Sequence, residues 1–491
     1  MDNPFQAEDL HNIAIPNTAH YVWCKNSTIK FENYLSILSV WKLFGPDSIE
    51  FHTKYDISKF DDKYNLWMEE LQQNIPGFLF RLLPAHWDGE EHGCGIWFAI
   101  AVLDDRGGIY FSEDLLVTEQ LKRLNKKNFW LAFDNANRVS ILMSNSQNKN
   151  LQNLKINLKM GQATYLSDKF PSHLKCQSVN SDLNVKNSTF YCAHMPGFYP
   201  RNIMRLNNTF GEYSRRVLYD SQEIVSPRKL MSGTIPKIIH LVWFRRKEMS
   251  FMMYLSLKST LTIIQPEKIY IHGDNQLYGK YLDEFSNNSR IVWVIREEPT
   301  HIFGHRIMFT QHKSDIVRAD VLLKYGGIYM DWDVLWLKPI DDILQVGYDA
   351  IVNFDHVSPK EYPNTINLGV FMSKPDSDFV RLWQQALKNY RSLDFYFNAL
   401  QLPYKIYEKY PKTVHIEKRL QVMCFHLKCH PIFDNGFKNL AVAQPFDWKR
   451  DAYAIHFTFP DPPEYSNKST LLNSNGMFAE IGKYILKQSF V

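Results

Sequence analysis

Two carboxylates lie one residue apart in the segment KYGGIYMDWDVLWLKP, which runs from Lys324 to Pro339. Asp331 and Asp333 follow a pair of glycines and a short apolar run, and they precede a Lys-Pro turn. In an extended segment, residues two apart point the same way, so we expect the two carboxylates to converge. Oxygen ligands arranged in this way suit Mg²⁺ or Mn²⁺, which can in turn hold a diphosphate and neutralise its charge.

The helix and the glycine turn that precede Asp331 and Asp333 determine where the two carboxylates point. The segment from His312 to Gly327 predicts a helix with an apolar stripe. Most of the stripe comes from Ile316, Val317, Leu322 and Leu323. Asp315 and Arg318 are three residues apart and therefore share a face of the helix. Gly326 suits the left-handed turn that ends it.

A second Asp-x-Asp, at Asp376 and Asp378, shows that the spacing alone is a weak signal. It lies in SKPDSDF, which predicts a helix start after a turn. Only Asp331 and Asp333 follow a helix, a glycine pair and an apolar strand. The surrounding pattern therefore singles out this pair as the metal-binding candidate.

The chain contains an internal repeat at an offset of about 220 residues. IPNTAHYVW, from Ile15 to Trp23, recurs as IPKIIHLVW, from Ile235 to Trp243, and GGIY at Gly107 recurs at Gly326. We therefore predict two tandem copies of one domain, a degenerate one in residues 1–222 and a catalytic one in residues 235–491, joined by a linker in residues 223–234.

Each copy alternates apolar strands with helices. In the second copy, KIIHLVWF, KIYIHGD and RIVWVI predict strands, and MMYLSLKSTLTII predicts a helix. This alternation favours an α/β fold with a mainly parallel, Rossmann-like sheet in each domain, where ligands bind beyond the strand ends.

The first copy lacks the polar groups of the second. Ser112 stands in place of Asp331, and Ile96 and Ala99 stand in place of Asp315 and Arg318. We expect this copy to bind the metal more weakly and to bind no charged donor, and to serve as a packing partner or an acceptor-binding surface. The alternative, a cation at Glu113 and Asp114, is disfavoured because adjacent residues in a strand point to opposite faces.

Composition restricts the function classes. Of 491 residues, 45% are hydrophobic and 14% aromatic, as in folded globular proteins. The 56 basic and 52 acidic residues nearly balance, so nucleic acid is not an expected partner. No stretch is long and apolar enough to span a bilayer, and the first residues lack a signal-peptide pattern.

Six cysteines without CxxC spacing permit disulfides. Asn-x-Ser/Thr sequons, which fit a lumenal glycoprotein, begin at Asn26, Asn187, Asn207, Asn287 and Asn467.

The ordered pattern IPKxIHxxW, SDxxRxxxLxxxGGxYxDxD and Lys-Pro resembles the nucleotide-sugar glycosyltransferases with a DXD motif. This family includes fungal α-1,6-mannosyltransferases, inositol-phosphoceramide mannosyltransferases, and animal α-1,4-galactosyl- and α-1,4-N-acetylglucosaminyltransferases. The resemblance is tight from Ile235 to Ile340 and looser to about residue 390. It implies a GT-A type fold, Mn²⁺ or Mg²⁺, a UDP- or GDP-sugar donor, and transfer of a hexose, with retention of configuration, to a glycan or glycolipid.

The resemblance also implies roles for individual residues. Asp331 and Asp333 would bind the metal and the donor diphosphate, with Asp331 also near the donor sugar or ribose. Asp315 and Arg318 would contact the donor. Their alternative is a surface ion pair that contributes little.

Three further residues receive roles from the same resemblance. Trp243 would lie near the nucleotide base, Asn367 would face the sugar, and His456 would complete the metal site. The alternatives are a core tryptophan, a turn asparagine and a hydrogen-bonded histidine beside an aromatic strand.

Other functions remain open at this point. The rival from a different class is a non-catalytic glycan- or nucleotide-sugar-binding pseudoenzyme. A glycoside hydrolase is disfavoured because carboxylates two residues apart on one strand crowd together instead of flanking a bond. The family's Golgi members favour the Golgi lumen or secretory pathway, where membrane association is compatible with this chain. Bacterial glucosylating toxins carry a similar arrangement of Arg, Gly-Gly-x-Tyr and DXD. A cytosolic, toxin-like enzyme is therefore an alternative.

Overall fold

The computed structural model describes residues 14–56, 65–83, 94–118, 129–133, 138–159, 173–175, 177–178, 192–195, 200–223, 233–355, 365–432 and 446–489. The chain divides into two compact units, Met1–Ile224 and Val225–Val491, here called the N-terminal and C-terminal domains. Most of the predicted linker lies outside the described residues.

The N-terminal domain contains ten described strands. They are β1 Thr18–Trp23, β2 Ser48–Thr53, β3 Phe78–Leu82, β4 Gly108–Phe111, β5 Leu115–Val117, β6 Trp130–Phe133, β7 Val139–Ser144, β8 His173–Lys175, β9 Gln177–Ser178 and β10 Cys192–His194. Seven form a sheet of order β3-β2-β1-β4-β7-β6-β8, and three form a small sheet of order β5-β10-β9.

The described helices of this domain lie between and after the strands. They are Phe31–Ser39, continued as a π-helix Val40–Phe44, then Leu66–Asn74, Cys94–Arg106, Lys149–Lys159, Pro200–Arg205 and Thr209–Tyr219. The helix Cys94–Arg106 contributes Phe98, Ala99 and Leu103 to a buried cluster that also includes Leu142 of β7. The apolar run at the position of the Asp315 and Arg318 helix is therefore used for packing.

The C-terminal domain contains thirteen described strands. They are β11 Ile238–Val242, β12 Lys268–Gly273, β13 Ile291–Ile295, β14 His301–Ile302, β15 His305–Arg306, β16 Gly327–Met330, β17 Val334–Trp336, β18 Ala350–Phe354, β19 Ile366–Ser373, β20 His415–Ile416, β21 Val422–Phe425, β22 Lys428–His430 and β23 Ala454–Thr458.

The main sheet of the C-terminal domain has the order β13-β12-β11-β16-β19-β18-β20, which repeats the order of the N-terminal sheet strand for strand. The pairings β11 to β12, β12 to β13, β11 to β16 and β18 to β20 are parallel, and β19 runs antiparallel to both its neighbours. The predicted fold class, two tandem α/β domains with mainly parallel sheets, is confirmed. A small sheet of order β17-β23-β21-β22 and the hairpin β14-β15 complete the domain.

The helices of this domain lie between and after the strands. They are Phe251–Ser259, continued as a π-helix Thr260–Ile264, then Lys280–Asp283, Gln311–Tyr325, Asp341–Leu344, Asp378–Ala386, the π-helix Phe397–Gln401, Leu402–Lys409, Trp448–Asp451, Lys468–Asn473 and Met477–Lys487, with short 3₁₀ turns at Leu387–Asn389, Pro411–Thr413 and Pro463–Ser466. The helix start that the sequence predicted at the second Asp-x-Asp is confirmed, and Ser377 caps the helix Asp378–Ala386.

The helix Gln311–Tyr325 packs beside β16 and positions the candidate site. Only Val317 and Leu322 of the predicted stripe are fully buried, and Val321 joins them, whereas Ile316 and Leu323 are half-buried. The helix ends at Gly326, whose φ is +64°. A Cβ at the next glycine, at φ +99°, would lie 2.8 Å from the Ile238 carbonyl oxygen, so the turn requires glycine.

Two disulfides join described cysteines, Cys24 to Cys94 and Cys424 to Cys429. Among the described helices, none is both long and apolar enough to cross a membrane.

Candidate metal and donor site

Asp331 and Asp333 flank a tight turn that follows strand β16. The sequence placed both on one extended strand, and this prediction is wrong, because the chain turns after Met330 and the Val334 amide donates to the Asp331 carbonyl over 3.3 Å. Trp332, between them, is buried and anchors the turn. The two carboxylate side chains remain 32% and 39% exposed, so they are open to a ligand.

His456 lies beside the two carboxylates. Strand β23 pairs with β17 so that His456 lies opposite Val334, the residue after Asp333. Its Nε2 atom is 3.1 Å from Asp333 Oδ1 and 3.7 Å from Asp331 Oδ2. The ligand atoms of all three groups lie within 4.8 Å of one another. The structure thus brings together the three residues that the sequence analysis named as metal ligands.

Gln421 fixes the orientation of the His456 ring. Its Nε2 donates to the Asn367 carbonyl over 2.9 Å, and its Oε1 lies 3.0 Å from His456 Nδ1. Because a backbone carbonyl only accepts, the amide orientation is determined and His456 Nδ1 carries a proton. When the ring loses its second proton, it therefore presents the lone pair of Nε2 to the carboxylates. Metal-binding histidines are typically held in this way through their second nitrogen.

The donor set fits a divalent cation such as Mn²⁺ or Mg²⁺. Two carboxylates and one imidazole combine hard ligands with one borderline ligand. Asp333 Oδ1 is buried 3.1 Å from His456 Nε2, and it accepts a hydrogen bond there only when the ring is protonated. Because a buried anionic oxygen without a partner is costly, a cation held between Asp331, Asp333 and His456 would relieve that cost.

Charges inside this cluster shift its pKa values. Burial favours neutral His456, but the carboxylates of Asp333 and Asp331 outweigh burial and raise the pKa of the ring. Burial raises the pKa of the Asp331 carboxyl, which the Arg318 guanidinium opposes and the charge of Asp333 reinforces. The protonated ring therefore compensates the carboxylates, and a bound cation would replace that proton.

Arg318 links the helix Gln311–Tyr325 to the Asp331 turn. Its Nη1 donates to the Leu368 carbonyl over 2.9 Å, and its Nη2 lies 3.4 Å from Asp331 Oδ1. Its guanidinium carbon lies 3.8 Å from the centroid of the Tyr329 ring. Since Arg318 is only 6% exposed, the alternative of a surface ion pair does not apply.

Asp315 is buried beside Arg318, with Oδ1 3.5 Å from Nη1. Burial raises the pKa of Asp315 to about 7, although Arg318 lowers it, and the charge of Asp331 adds to the rise. A carboxyl that titrates near neutrality beside a candidate metal site is typical of functional residues.

Trp243 directly follows β11 instead of ending it, on the sheet edge where the parallel strand β16 delivers Asp331. Its indole Nε1 is buried and has no hydrogen-bond partner among the described residues. Lys247 Nζ lies 4.3 Å from the centroid of its ring. A buried indole N–H without a partner could donate a hydrogen bond to an acceptor atom of a bound ligand.

Asn367 supports the wall behind the cluster. Its Oδ1 accepts from the Gly369 amide over 2.7 Å, and the Gly369 carbonyl accepts from the Asp331 amide over 2.8 Å. A Cβ at Gly369 would lie 2.1 Å from His456 Cε1, so this glycine allows the close approach. In the described structure the Asn367 side chain makes no hydrogen bond to Asp331 or Asp333.

Three residues of the site received no role from the sequence. Tyr329 donates its hydroxyl hydrogen to Asp331 Oδ1 over 2.6 Å, and Trp332 donates its indole hydrogen to the Val242 carbonyl over 3.1 Å. Tyr329 belongs to the repeated GGIY and could have been found from the repeat. Gln421 lies far away in the sequence, in no motif, and had no such signal.

The corresponding turn of the N-terminal domain is arranged differently. Ser112 Oγ lies 3.3 Å from Asp114 Oδ1, and Glu113 forms an ion pair with Lys25. Among the described residues, this turn belongs to no group of three metal-ligating side chains.

Residues 245–348 match the protein family described as "Glycosyltransferase sugar-binding region containing DXD motif". This region is similar to glycosyltransferases. Residues 298–421 match a second family, described as "Capsular polysaccharide synthesis protein". Both matches lie in the C-terminal domain, and the first contains Asp315, Arg318, Asp331 and Asp333. Together they support a role in glycosyl transfer.

Among curated proteins, Glucan organizing enzyme 1 of Cryptococcus neoformans var. grubii serotype A is 23% identical to this chain over 207 residues. The alignment covers 40% of this chain and 55% of the relative. The chain therefore spans about half the length of this relative.

Several solved structures of glycosyltransferases are similar to this chain, with low sequence identity and low TM-scores. The galactosyltransferase LgtC, in complex with donor and acceptor sugar analogs, is 13% identical with a TM-score of 0.32, covering 50% of this chain and 94% of its own. The PaToxG glycosyltransferase is 18% identical with a TM-score of 0.28, covering 36% and 71%. GlyE of Streptococcus pneumoniae TIGR4 is 10% identical with a TM-score of 0.25, covering 66% and 86%.

Proposed function

We propose that the C-terminal domain is a metal-dependent retaining glycosyltransferase of GT-A type that moves a hexose from a UDP- or GDP-sugar to a glycan or glycolipid. The convergence of Asp331, Asp333 and His456 at one edge of a mainly parallel sheet carries this proposal. Ligands of such sheets bind beyond the carboxyl ends of the strands. The family match of residues 245–348 supports a sugar nucleotide as the ligand.

Asp331, Asp333 and His456 would hold Mn²⁺ or Mg²⁺ in this proposal. The bound ion supplies positive charge that stabilises the departing nucleoside diphosphate. Gln421 holds the His456 ring, and Trp332 anchors the turn, so both fix the ligands before the donor arrives. Fixed charges and dipoles need no reorganisation when charge develops on the leaving group.

Arg318 would keep the Asp331 carboxylate ionised and would hold it in its orientation towards the metal. Its position is fixed by the Leu368 carbonyl and the Tyr329 ring. Asp315, buried behind it with a pKa of about 7, would form a hydrogen bond with a hydroxyl of the donor. Trp243 would contact the nucleotide base and use its orphaned indole N–H.

Retention of configuration and the choice of a hexose enter this proposal through the resemblance to the DXD-motif family. Proton NMR of the anomeric signal, recorded early in the reaction, tests retention directly. A product with the anomeric configuration opposite to the donor would refute that part.

We also propose that the N-terminal domain is a degenerate transferase domain without catalysis. The shared strand order supports a common origin, and Ser112 with the paired Glu113 supports the loss of the metal site. Such a domain would bind the acceptor.

A donor screen separates an enzyme from a non-catalytic binding protein. Purified chain is incubated with a panel of UDP- and GDP-sugars in Mn²⁺, and released nucleoside diphosphate is measured. We expect release from one donor, reduced at least about a hundredfold in Asp333→Ala, which loses a metal ligand. Asp378→Ala, in the second Asp-x-Asp, is the matched control and should retain activity. Donor binding without release from any member would favour the pseudoenzyme.

A location in the Golgi lumen or secretory pathway is part of the proposal. Two disulfides join described cysteines, and disulfides are rare in the cytosol. The sequon asparagines Asn26, Asn207 and Asn287 are exposed. Treatment of the protein from its native cells with an N-glycosidase should increase its mobility on a gel, and unchanged mobility would contradict this location.

A further inference from the structure

Three buried side chains of the N-terminal domain form a second group of metal-ligating residues, separate from the site above. His20 lies in β1, and Glu50 and His52 lie in the adjacent parallel strand β2, where Glu50 is paired with His20. Their exposures are 1%, 7% and 3%. Because Glu50 and His52 are two residues apart on one strand, both lie on the same face of the sheet.

The three ligand atoms form a compact triangle. His20 Nδ1 and His52 Nε2 are 3.0 Å apart, and Glu50 Oε2 lies 3.7 Å from the first and 3.6 Å from the second. A tetrahedral ion that binds its ligands at about 2.0–2.1 Å places them about 3.3–3.4 Å from one another. The triangle therefore needs shifts of only a few tenths of an ångström to accept such an ion.

His20 is in the tautomer that a metal-binding histidine requires. Its Nε2 lies 3.0 Å from the Gly107 carbonyl, which only accepts, so Nε2 carries the proton. Its Nδ1 therefore presents a lone pair to the cluster. Metal-binding histidines typically donate their second N–H to such a carbonyl. The proton between Nδ1 and His52 Nε2 is the one that an ion would displace.

The C-terminal domain provides an internal comparison. His240 and His272 form the same pair with nitrogens 3.1 Å apart, and His240 Nε2 lies 3.1 Å from the Gly326 carbonyl. Tyr270 occupies the position that Glu50 has in the other domain. The histidine pair and its carbonyl are thus common to both domains. The carboxylate that completes a three-ligand group is specific to the N-terminal domain.

Two arginines also contact Glu50. Arg81 Nη2 donates to Oε1 over 3.0 Å, and Arg106 Nη1 lies 3.3 Å from both carboxylate oxygens. Their side chains are 42% and 47% exposed, so both can move outward and open a path to the cluster. Their charge opposes any cation, which favours a metal that binds imidazole strongly over Mg²⁺ or Ca²⁺.

We propose that His20, Glu50 and His52 bind one Zn²⁺ ion, with a water molecule as the fourth ligand. The ion joins the adjacent parallel strands β1 and β2 of the N-terminal sheet. Because it binds the folded state preferentially, it stabilises this domain. This site is independent of the proposed transferase reaction.

The test uses the full chain with Asp331→Asn and Asp333→Asn, which weakens metal binding in the C-terminal domain. After treatment with a chelator, the protein is titrated with Co²⁺ as a visible probe and then with Zn²⁺. We expect one Co²⁺ per chain with the intense absorption of a four-coordinate site, displaced by Zn²⁺. Glu50→Gln and His52→Gln should each weaken Zn²⁺ binding at least about tenfold, because each removes a ligand.

His272→Gln is the matched control, because it changes the equivalent histidine of the C-terminal pair. It should leave Zn²⁺ binding unchanged, and circular dichroism verifies that each variant is folded. A second readout needs no change at the cluster: Zn²⁺ should raise the Tm of the doubly substituted chain. Absence of both the Co²⁺ absorption and the Tm increase would overturn the proposal, and so would undiminished Zn²⁺ binding in folded Glu50→Gln.

Discussion

Replacing Gln421 with leucine tests whether the His456 ring is held as a metal ligand. The substitution keeps the approximate volume of a fully buried side chain and removes two hydrogen bonds. His456 Nδ1 loses an acceptor at 3.0 Å, and the Asn367 carbonyl loses a donor at 2.9 Å. Both groups then remain buried without these partners.

Two effects follow from this loss. Buried polar groups without partners cost about 1–3 kcal/mol each, so the free energy of unfolding should fall by about 2–6 kcal/mol. Loss of an outer partner of a metal-binding histidine typically weakens metal affinity about 10–100-fold. We therefore expect the Kd for Mn²⁺ to rise by that factor in Gln421→Leu, because His456 is no longer oriented.

Asn398→Leu provides the matched control for this prediction. Asn398 is buried, and its side-chain amide donates to the carbonyls of Arg391 and Asp394 over 2.6 Å each. This variant should lose comparable stability and keep its Mn²⁺ affinity. Both variants are measured by calorimetric Mn²⁺ titration and by urea unfolding. An Mn²⁺ affinity within twofold of the unchanged protein in folded Gln421→Leu would refute the proposed role of His456.

Three further predictions concern the turn and the buried histidines. Tyr329→Phe removes the hydrogen bond to the first carboxylate and keeps the stacked ring, so Mn²⁺ titration should show about tenfold weaker binding. Gly327→Ala should cost about 2–4 kcal/mol in urea unfolding, because its Cβ would clash at a positive φ, whereas Gly304→Ala, with open space, should cost about 1 kcal/mol. Burial lowers the pKa of His240 to about 4 and of His272 to about 3. Because the unfolded rings titrate near pH 6.5 and bind protons that the folded rings do not, the free energy of unfolding should fall by about 2 kcal/mol per ring between pH 6.5 and 5, again in urea unfolding; equal values at pH 6.5 and 5 would contradict this.

The fold class was predictable because the repeat and the strand pattern are local signals. Apolar runs such as KIIHLVWF gave β11, and GGIY gave β4 and β16 in the two domains. The direction of β19, antiparallel to its neighbours, depends on pairing across the sheet and has no signal within the strand itself.

The candidate site was predictable in its residue types more than in its geometry. The convergence of Asp331 and Asp333 was expected from an extended strand, but a turn anchored by Trp332 produces it. The indole hydrogen bond to Val242 that fixes this turn spans 90 residues of sequence, which no local pattern reveals. The same holds for Gln421, which reaches His456 only because β21 and β23 are adjacent.

Binding of a single Mn²⁺ ion tests the central claim most directly. Electron paramagnetic resonance of the full chain, with UDP or GDP present and absent, counts bound Mn²⁺ and reports contact with the nucleotide. We predict one tightly bound ion per chain with nucleotide, lost in Asp331→Asn, Asp333→Asn and His456→Gln and retained in Asp378→Asn. Undiminished Mn²⁺ binding in the first three variants, or no bound Mn²⁺ with either nucleotide, would contradict the account.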